Sequence, residues 1–254
     1  MTYFCEGKYE NTMLALLKKE INEFFSTITG YIVVVVFLLA IGLFMWVFPG
    51  QYNVMDSGYA SLDTLFTLAP WIFLFLVPAV TMRMIADEKK TGTMELLLTR
   101  PISDLQIVVA KYLAALILVL LALLPTLVYF FSVYHLGNPP GNIDVAGTTG
   151  SYIGLFFLAA IYVAIGIFAS SLTSNQIVAF IISLLVAFIF YMGFDLLSGL
   201  WIFSSMEAFV ADLGINAHYR SMSRGVIDTR DIIYFLSVIV VFVYLTRTII
   251  QNRN

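Results

Sequence analysis

Asp87-Glu88-Lys89-Lys90-Thr91-Gly92-Thr93-Met94-Glu95-Leu96-Leu97-Leu98-Thr99-Arg100-Pro101 is the heart of the one substantial polar interval, Arg83 to Lys111, in a chain made otherwise of long apolar runs. Gly92 favours a break in the backbone. Glu95 stands three residues later, in the first turn of a short helix, and Pro101 makes continuation past Arg100 unfavourable. The spacing predicts a helix of two turns at most over residues 92–100, charged at both ends. Its Leu96-Leu97-Leu98 run cannot all face lipid or all face water. Held at a membrane surface between two apolar segments, such a helix is shaped to be pushed by something in the adjacent compartment.

Composition fixes the class. The chain is 61% hydrophobic and 11% charged, with a mean hydropathy of +0.94, far outside the range of ordinary soluble domains. The expectation is an all-α polytopic membrane protein. A net charge of -3, with no basic patch interleaved with aromatics, gives no reason to expect nucleic acid. The single cysteine, Cys5, excludes an internal disulfide and a paired-thiol metal site. The first apolar stretch is long enough to span and follows an amphipathic segment, so it does not read as a cleavable signal. Residues 1–12 are polar and patternless and read as a disordered tail, with Met13 an alternative start and residues 13–254 a single transmembrane domain.

Leu14, Leu17, Ile21, Phe24 and Ile28 recur at helical spacing, with Lys18, Lys19, Glu20, Asn22 and Glu23 on the opposite side. That pattern predicts an interfacial helix. Six spans follow: Gly30 to Phe48, Leu65 to Ile85, Ser103 to Tyr134, Tyr152 to Leu172, Ile177 to Leu197 and Ile232 to Ile250. Pro70, Pro78 and Pro125 are expected kinks, and Ser103 with Gln106 forms a capping box that restarts a helix. Trp46, Phe48 and Tyr52, and later Tyr129, Phe130 and Phe131, suit interfacial belts. Gly166 and Ser170 are a small-residue pair that lets helices approach closely. Between the last two spans, Ser204 and Glu207 make a second capping box, and Gly214 reads as a helix terminator. A further short helix is expected over Asn216 to Arg224, ended by Gly225. Asp228 and Asp231 load the start of the last span with negative charge.

Ten of the thirteen Lys and Arg residues, Lys111 among them, fall on the side of the termini and the central loop. The positive-inside rule therefore places that side in the cytoplasm. The short helices of residues 204–224 then face outward and are expected to dip back into the outer leaflet as re-entrant elements.

The missing chemistry narrows function. No G-x-x-x-x-G-K-[ST] occurs, so nucleotide hydrolysis would need another chain. Leu197-Ser198-Gly199 sits at an outer span end and is dismissed as an ABC signature. There is no H-E-x-x-H. His135 and His218 read as surface residues without a third metal ligand, Asp195 as a wetted carboxylate at the outer interface, and Arg83 as a boundary residue free to snorkel. The membrane core thus appears on sequence to hold no ionisable relay, which argues against an ion-coupled carrier, and the missing catalytic pair argues against a membrane-embedded hydrolase.

This architecture resembles the permease subunits of type-2 ABC exporters. Residues 88–103 are similar to their E-x-x-x-G-T-x-E-x-L-L-x-x-P-x-S segment. Lys18 to Phe25 and His218 to Asp231 most resemble the gliding-motility-associated permease (GldF type). The resemblance implies that the short cytoplasmic helix couples to an ATPase through Glu88, Gly92, Thr93, Glu95, Leu97, Arg100 and Pro101. It also implies a separate ATPase subunit carrying ATP and Mg, with no catalytic residue, cofactor or metal in this chain. The other implied partner is a second membrane subunit with a large extracytoplasmic portion, or a second copy of this chain. The location implied is a bacterial inner membrane with both termini cytoplasmic, and the output export linked to gliding motility. A structural anchor for an envelope or motility complex, without translocation, is the alternative.

Overall fold

The computed structural model describes residues 3–98, 102–201 and 206–252 and is helical throughout, with no strand among the described residues. Helix α1 (Tyr3–Ser26) is followed across Thr27 by α2 (Ile28–Gly42), which continues through a π-helical turn, Leu43–Val47. Short α3 (Val54–Ser57) lies in the following loop. Then come α4 (Asp63–Thr81), α5 (Ala86–Thr91) and α6 (Thr93–Leu98). Helix α7 (Asp104–Leu123) passes through a 3-10 turn at Leu124–Thr126 into α8 (Leu127–Leu136), and α9 (Val145–Leu172) follows. Helix α10 (Gln176–Phe188) runs through a second π turn, Ile189–Gly193, into α11 (Phe194–Ser198). Two short helices, α12 (Glu207–Ala211) and α13 (Ile215–Met222), precede α14 (Thr229–Gln251).

Among the described residues, six helical stretches are long and apolar enough to cross a membrane: Gly30–Val47, Asp63–Thr91, Asp104–Leu136, Val145–Leu172, Gln176–Ser198 and Thr229–Gln251. An even number of crossings leaves α1, the α5–α6 segment and the end of α14 on one side, the terminal side. It leaves α3, α12 and α13 on the other.

The centre of the bundle is α9. In the span that it forms, 78% of the most apolar window is buried, against 17% to 22% for the first, fifth and sixth spans. Its small residues allow this. A Cβ on Gly166 would stand 2.1 Å from Thr81 Oγ1 of α4, and one on Gly150 would stand 2.7 Å from Gly225 Cα. Gly225 itself has φ +81, a left-handed conformation that favours glycine. Close approach of α4 and of the α13 C-terminus to α9 is thus built into the sequence of α9.

Several local expectations hold. Ser103 and Gln106 form the complete capping box at α7, and Asp228 caps α14 by accepting from Arg230 N–H. That bond from the Arg230 amide is the leading reason the exposed Asp228 carboxyl lies below its ordinary pKa. The kink at Pro125 is a 3-10 turn.

Others need correction. The fourth span begins at Val145 rather than Tyr152, because Asp144 caps it and accepts from Gly147 N–H at 2.9 Å. Its Gly- and Thr-rich first turns look like loop by propensity, but the cap and the Gly150 contact override that. Gly214 does not end a helix. It is extended (φ −83, ψ 144) and leads into α13. The Ser204 cap falls outside the described residues, while Phe209 and Leu213, 61% and 42% exposed, lie on the surface of the chain itself.

Gly166→Val should destabilise the protein by about 1–3 kcal/mol, the usual cost of overpacking a filled contact. Gly199→Ala, whose new Cβ would meet nothing closer than 3.7 Å, should leave the melting temperature in detergent unchanged. Equal melting temperatures for Gly166→Val and wild type would show that the α4–α9 contact is not close-packed.

Candidate functional site

The helical run that starts as α4 does not continue smoothly into the polar interval. It is interrupted between Thr81 and Ala86, inside the protein, where freed amides need partners. One side chain supplies them. Ser170 Oγ, on α9, accepts from the Ile85 and Ala86 N–H groups at 3.1 and 3.0 Å and donates to Met82 O at 3.1 Å. Helix α5 is then tied to the start of α10 and the end of α9. Gln176 Nε2 donates to Asp87 Oδ1, and Lys89 Nζ donates to Ser171 O.

Beneath this hinge lies a charge cluster that joins three helices. Lys111 of α7 is fully buried, and its ammonium has three donors to place. It donates to Glu20 Oε1 at 2.8 Å and to Met84 O at 2.7 Å, and pairs with Glu88 Oε2 at 2.9 Å. The Glu20 and Glu88 side chains are 8% and 13% exposed. Lys19 covers the cluster from α1, 3.3 Å from Glu88 Oε1 and 3.8 Å from Glu20 Oε1. Burial lowers the Lys19 pKa, but the carboxylates of Glu20, Glu88 and Glu23 outweigh it and hold the ammonium above its ordinary value. Two ammonium groups thus meet two largely buried carboxylates, which is the condition for keeping such charges out of water.

The sequence expectations for this region sort cleanly. Gly92 does make the break, with φ +73 between α5 and α6, and α6 is the short helix expected. Glu88 turns inward to Lys111 and Lys19. Thr93 is exposed, its Oγ1 2.9 Å from Thr91 Oγ1. Glu95 is exposed, whereas Met94 is buried at 6%. Leu97 is half-buried and packs toward Leu16, Ile107 and Ala110. Arg100 and Pro101 lie outside the described residues. A cavity of about 200 Å³ opens beside the cluster, lined by Glu20, Glu23, Arg83, Asp87 and Glu88. Arg83 is therefore part of a polar cleft, half-buried among carboxylates.

Two expectations from sequence are corrected by this cluster. Lys111, counted as an ordinary basic residue of the terminal side, is an ionisable group sealed inside the bundle. Glu20, assigned to the polar side of α1, faces inward at 7% exposure. The signal for Lys111 was present. Ile107, Val108, Lys111, Ala114 and Ala115 recur at helical spacing and are all buried, so the lysine stands on the apolar face of α7. His218 was also undervalued. On α13 it stacks on Tyr234 at 3.9 Å between ring centroids, with its two ring nitrogens 2.7 Å from Asp231 Oδ1 and 2.8 Å from Asp212 O. Among the described residues no group of three or more His, Cys, Asp or Glu is placed to hold a metal ion.

A family model described as "ABC-2 family transporter protein" matches residues 14–254. No curated protein matches the chain.

Lys111→Met should cost about 3–5 kcal/mol, the range found when one partner of a buried ion pair is removed. A cysteine placed at the buried Met94 should become reactive to thiol reagents in that background. The triple variant Glu20→Gln, Glu88→Gln, Lys111→Met should recover most of the lost stability. Wild-type stability of Lys111→Met alone would mean that the cluster is not a structural joint.

Proposed function

The chain belongs to the ABC-2 transporter family, and on that premise we propose that it is one half of an ATP-driven translocation unit moved through its α5–α6 segment. Members of this family are non-catalytic membrane components, and this one carries no nucleotide-binding motif. ATP and Mg therefore belong to a separate ATPase subunit. That subunit docks on α6 and its flanks, with Glu95 and Thr93 as exposed contacts, Leu97 as the apolar anchor, Gly92 as the turn, and Arg100 and Pro101 closing the motif. Glu88 serves the same purpose from inside, as the residue that ties the docked element to the bundle.

The observation that carries this reading is the buried Lys111 ammonium, hydrogen-bonded to α1 and to the α4–α5 break and ion-paired with α5. A push on α6 cannot be absorbed locally when the helix before it is pinned by ion pairs to two others. It moves α1 and α7 as well.

The partner membrane subunit, a second copy or a chain with a large extracytoplasmic portion, fits the face formed by α2, α4 and α10. There Val35, Val36, Leu39, Ile181 and Leu185 stay 49% to 57% exposed. The terminal side is cytoplasmic in this reading, the membrane is a bacterial inner membrane, and α1 lies in its interface. The short helices α12 and α13 are the re-entrant elements of the opposite leaflet. Export, and a link to gliding motility, follow from the sequence resemblance of residues 18–25 and 218–231.

Two measurements test this. A cysteine at Asn142 should react with an impermeant thiol reagent in intact cells, and one at Thr91 should not; the reverse pattern would overturn the orientation. Glu95→Lys with Leu97→Ala should release the ATPase from the purified membrane subunit, each anchor costing on the order of 1–2 kcal/mol of docking. Undiminished retention with normal coupled ATP turnover would leave a structural anchor as the better account.

A further inference from the structure

On the side opposite the termini, α13 roofs a cavity of about 340 Å³ between α4 and the π turn before α11. Its two ends differ in chemistry. At the rim stand Arg220, in the last turn of α13, and Arg224, in the turn that follows it, both exposed to solvent. Neither makes an ion pair with a described residue. Of the nearby carboxylates, Asp195 accepts from Asn216 Nδ2 and does not line the cavity, while Asp63 stands on the opposite wall. Deeper in, Trp71 and Tyr191 meet edge to face with centroids 5.6 Å apart. Trp71 stands eight residues into α4, roughly 12 Å along its axis.

The roof is held firmly. Tyr219 Oη donates to Phe66 O at 2.7 Å, and Ser151 Oγ donates to Ser223 O at 2.8 Å. The two arginine stems thus leave from backbone that is held in place on both sides of the cavity's roof.

We propose that this cavity binds a phosphate-bearing amphiphile, with its headgroup between Arg220 and Arg224 and its apolar body against Trp71 and Tyr191. Planar guanidinium groups suit phosphate oxygens through paired N–H donors. A soluble anion would have no use for the aromatic depth, and an apolar cation would meet two positive charges at the rim against the single carboxylate of Asp63 in the cavity wall. The apolar body has a way out of the cavity. Thr67, Trp71 and Phe75 follow one another at four-residue spacing along an exposed stripe of α4, with Trp71 and Phe75 40% and 59% exposed. An acyl chain laid along that stripe leaves the cavity toward the hydrocarbon core without crossing the roof. The site is a binding site whether or not the ligand is moved, so it does not rest on the ATPase reading.

The test uses Trp71 as its own reporter, in a variant with Trp46→Phe and Trp201→Phe, reconstituted without an ATPase. Vesicles of phosphatidylcholine contain either bromine-labelled phosphatidylglycerol or bromine-labelled phosphatidylcholine, and Trp71 quenching gives the relative affinity. Preferential quenching by phosphatidylglycerol is expected. Arg220→Gln and Arg224→Gln should each reduce the preference by about fivefold, the weight of one basic residue near an anionic lipid surface. Both residues are exposed, so melting temperatures should not change. Asp63→Asn should raise the preference, the sign expected of an anion and opposite to that of a cation. Equal quenching by both lipids in the wild-type background would overturn the proposal. So would displacement of the labelled lipid by glycerol phosphate in water at the same total concentration, which would assign the arginines to a free anion.

Discussion

A lysine ammonium with no access to water holds the terminal side of this protein together. Lys111 donates to one carboxylate from α1 and to one backbone carbonyl in the α4–α5 break, and forms an ion pair with one carboxylate from α5. An ion pair of this kind gives little net stability, because both partners were better solvated apart than they are well paired together. What it supplies is specificity. Any arrangement that separates α1, α5 and α7 strands a charge in an apolar surrounding, so the three elements move together or the structure pays heavily.

That constraint was only partly legible in the sequence. The six spans were, because apolar stretches of nearly twenty residues admit few other readings. The break at Gly92 and the capping box at Ser103 were too, because both are local chemistry. Glu20 and Lys111 were not. Each looks like a surface residue within its own helix, and only the packing of α1 on α7, across 91 residues of chain, puts one opposite the other. Ser170 is similar. As one half of a small-residue pair it suggested close helix approach. Its bonds to the Ile85 and Ala86 amides depend on where α4 breaks, which α9 cannot encode alone.

The burial pattern separates scaffold from interface. Helix α9 is enclosed on all sides by α4, α7, α10 and α14, while α2, α10 and α14 keep most of their apolar surface outside the chain. A bilayer covers such surface without further help. On α4, however, the exposed stripe mixes Asp63 and Thr67 with Trp71 and Phe75, a composition that hydrocarbon alone does not reward. The second span is thus packed into the bundle by one side and carries a mixed polar and aromatic stripe on the other.

The serine staple at the α4–α5 break also sets an order of events during synthesis. The acceptor for the Ile85 and Ala86 amides is some 85 residues downstream, so it does not exist when the second span first leaves the ribosome. Until the fourth span arrives, those amides must be met by water or by a helix that runs on without a break. Lys111 emerges earlier and finds Glu20 and Glu88 already made. The ion pairs of Lys111 with Glu20 and Glu88 are therefore available for assembly before the Ser170 bonds that hold the break, and the bend in the second span is complete only once the fourth span is in place.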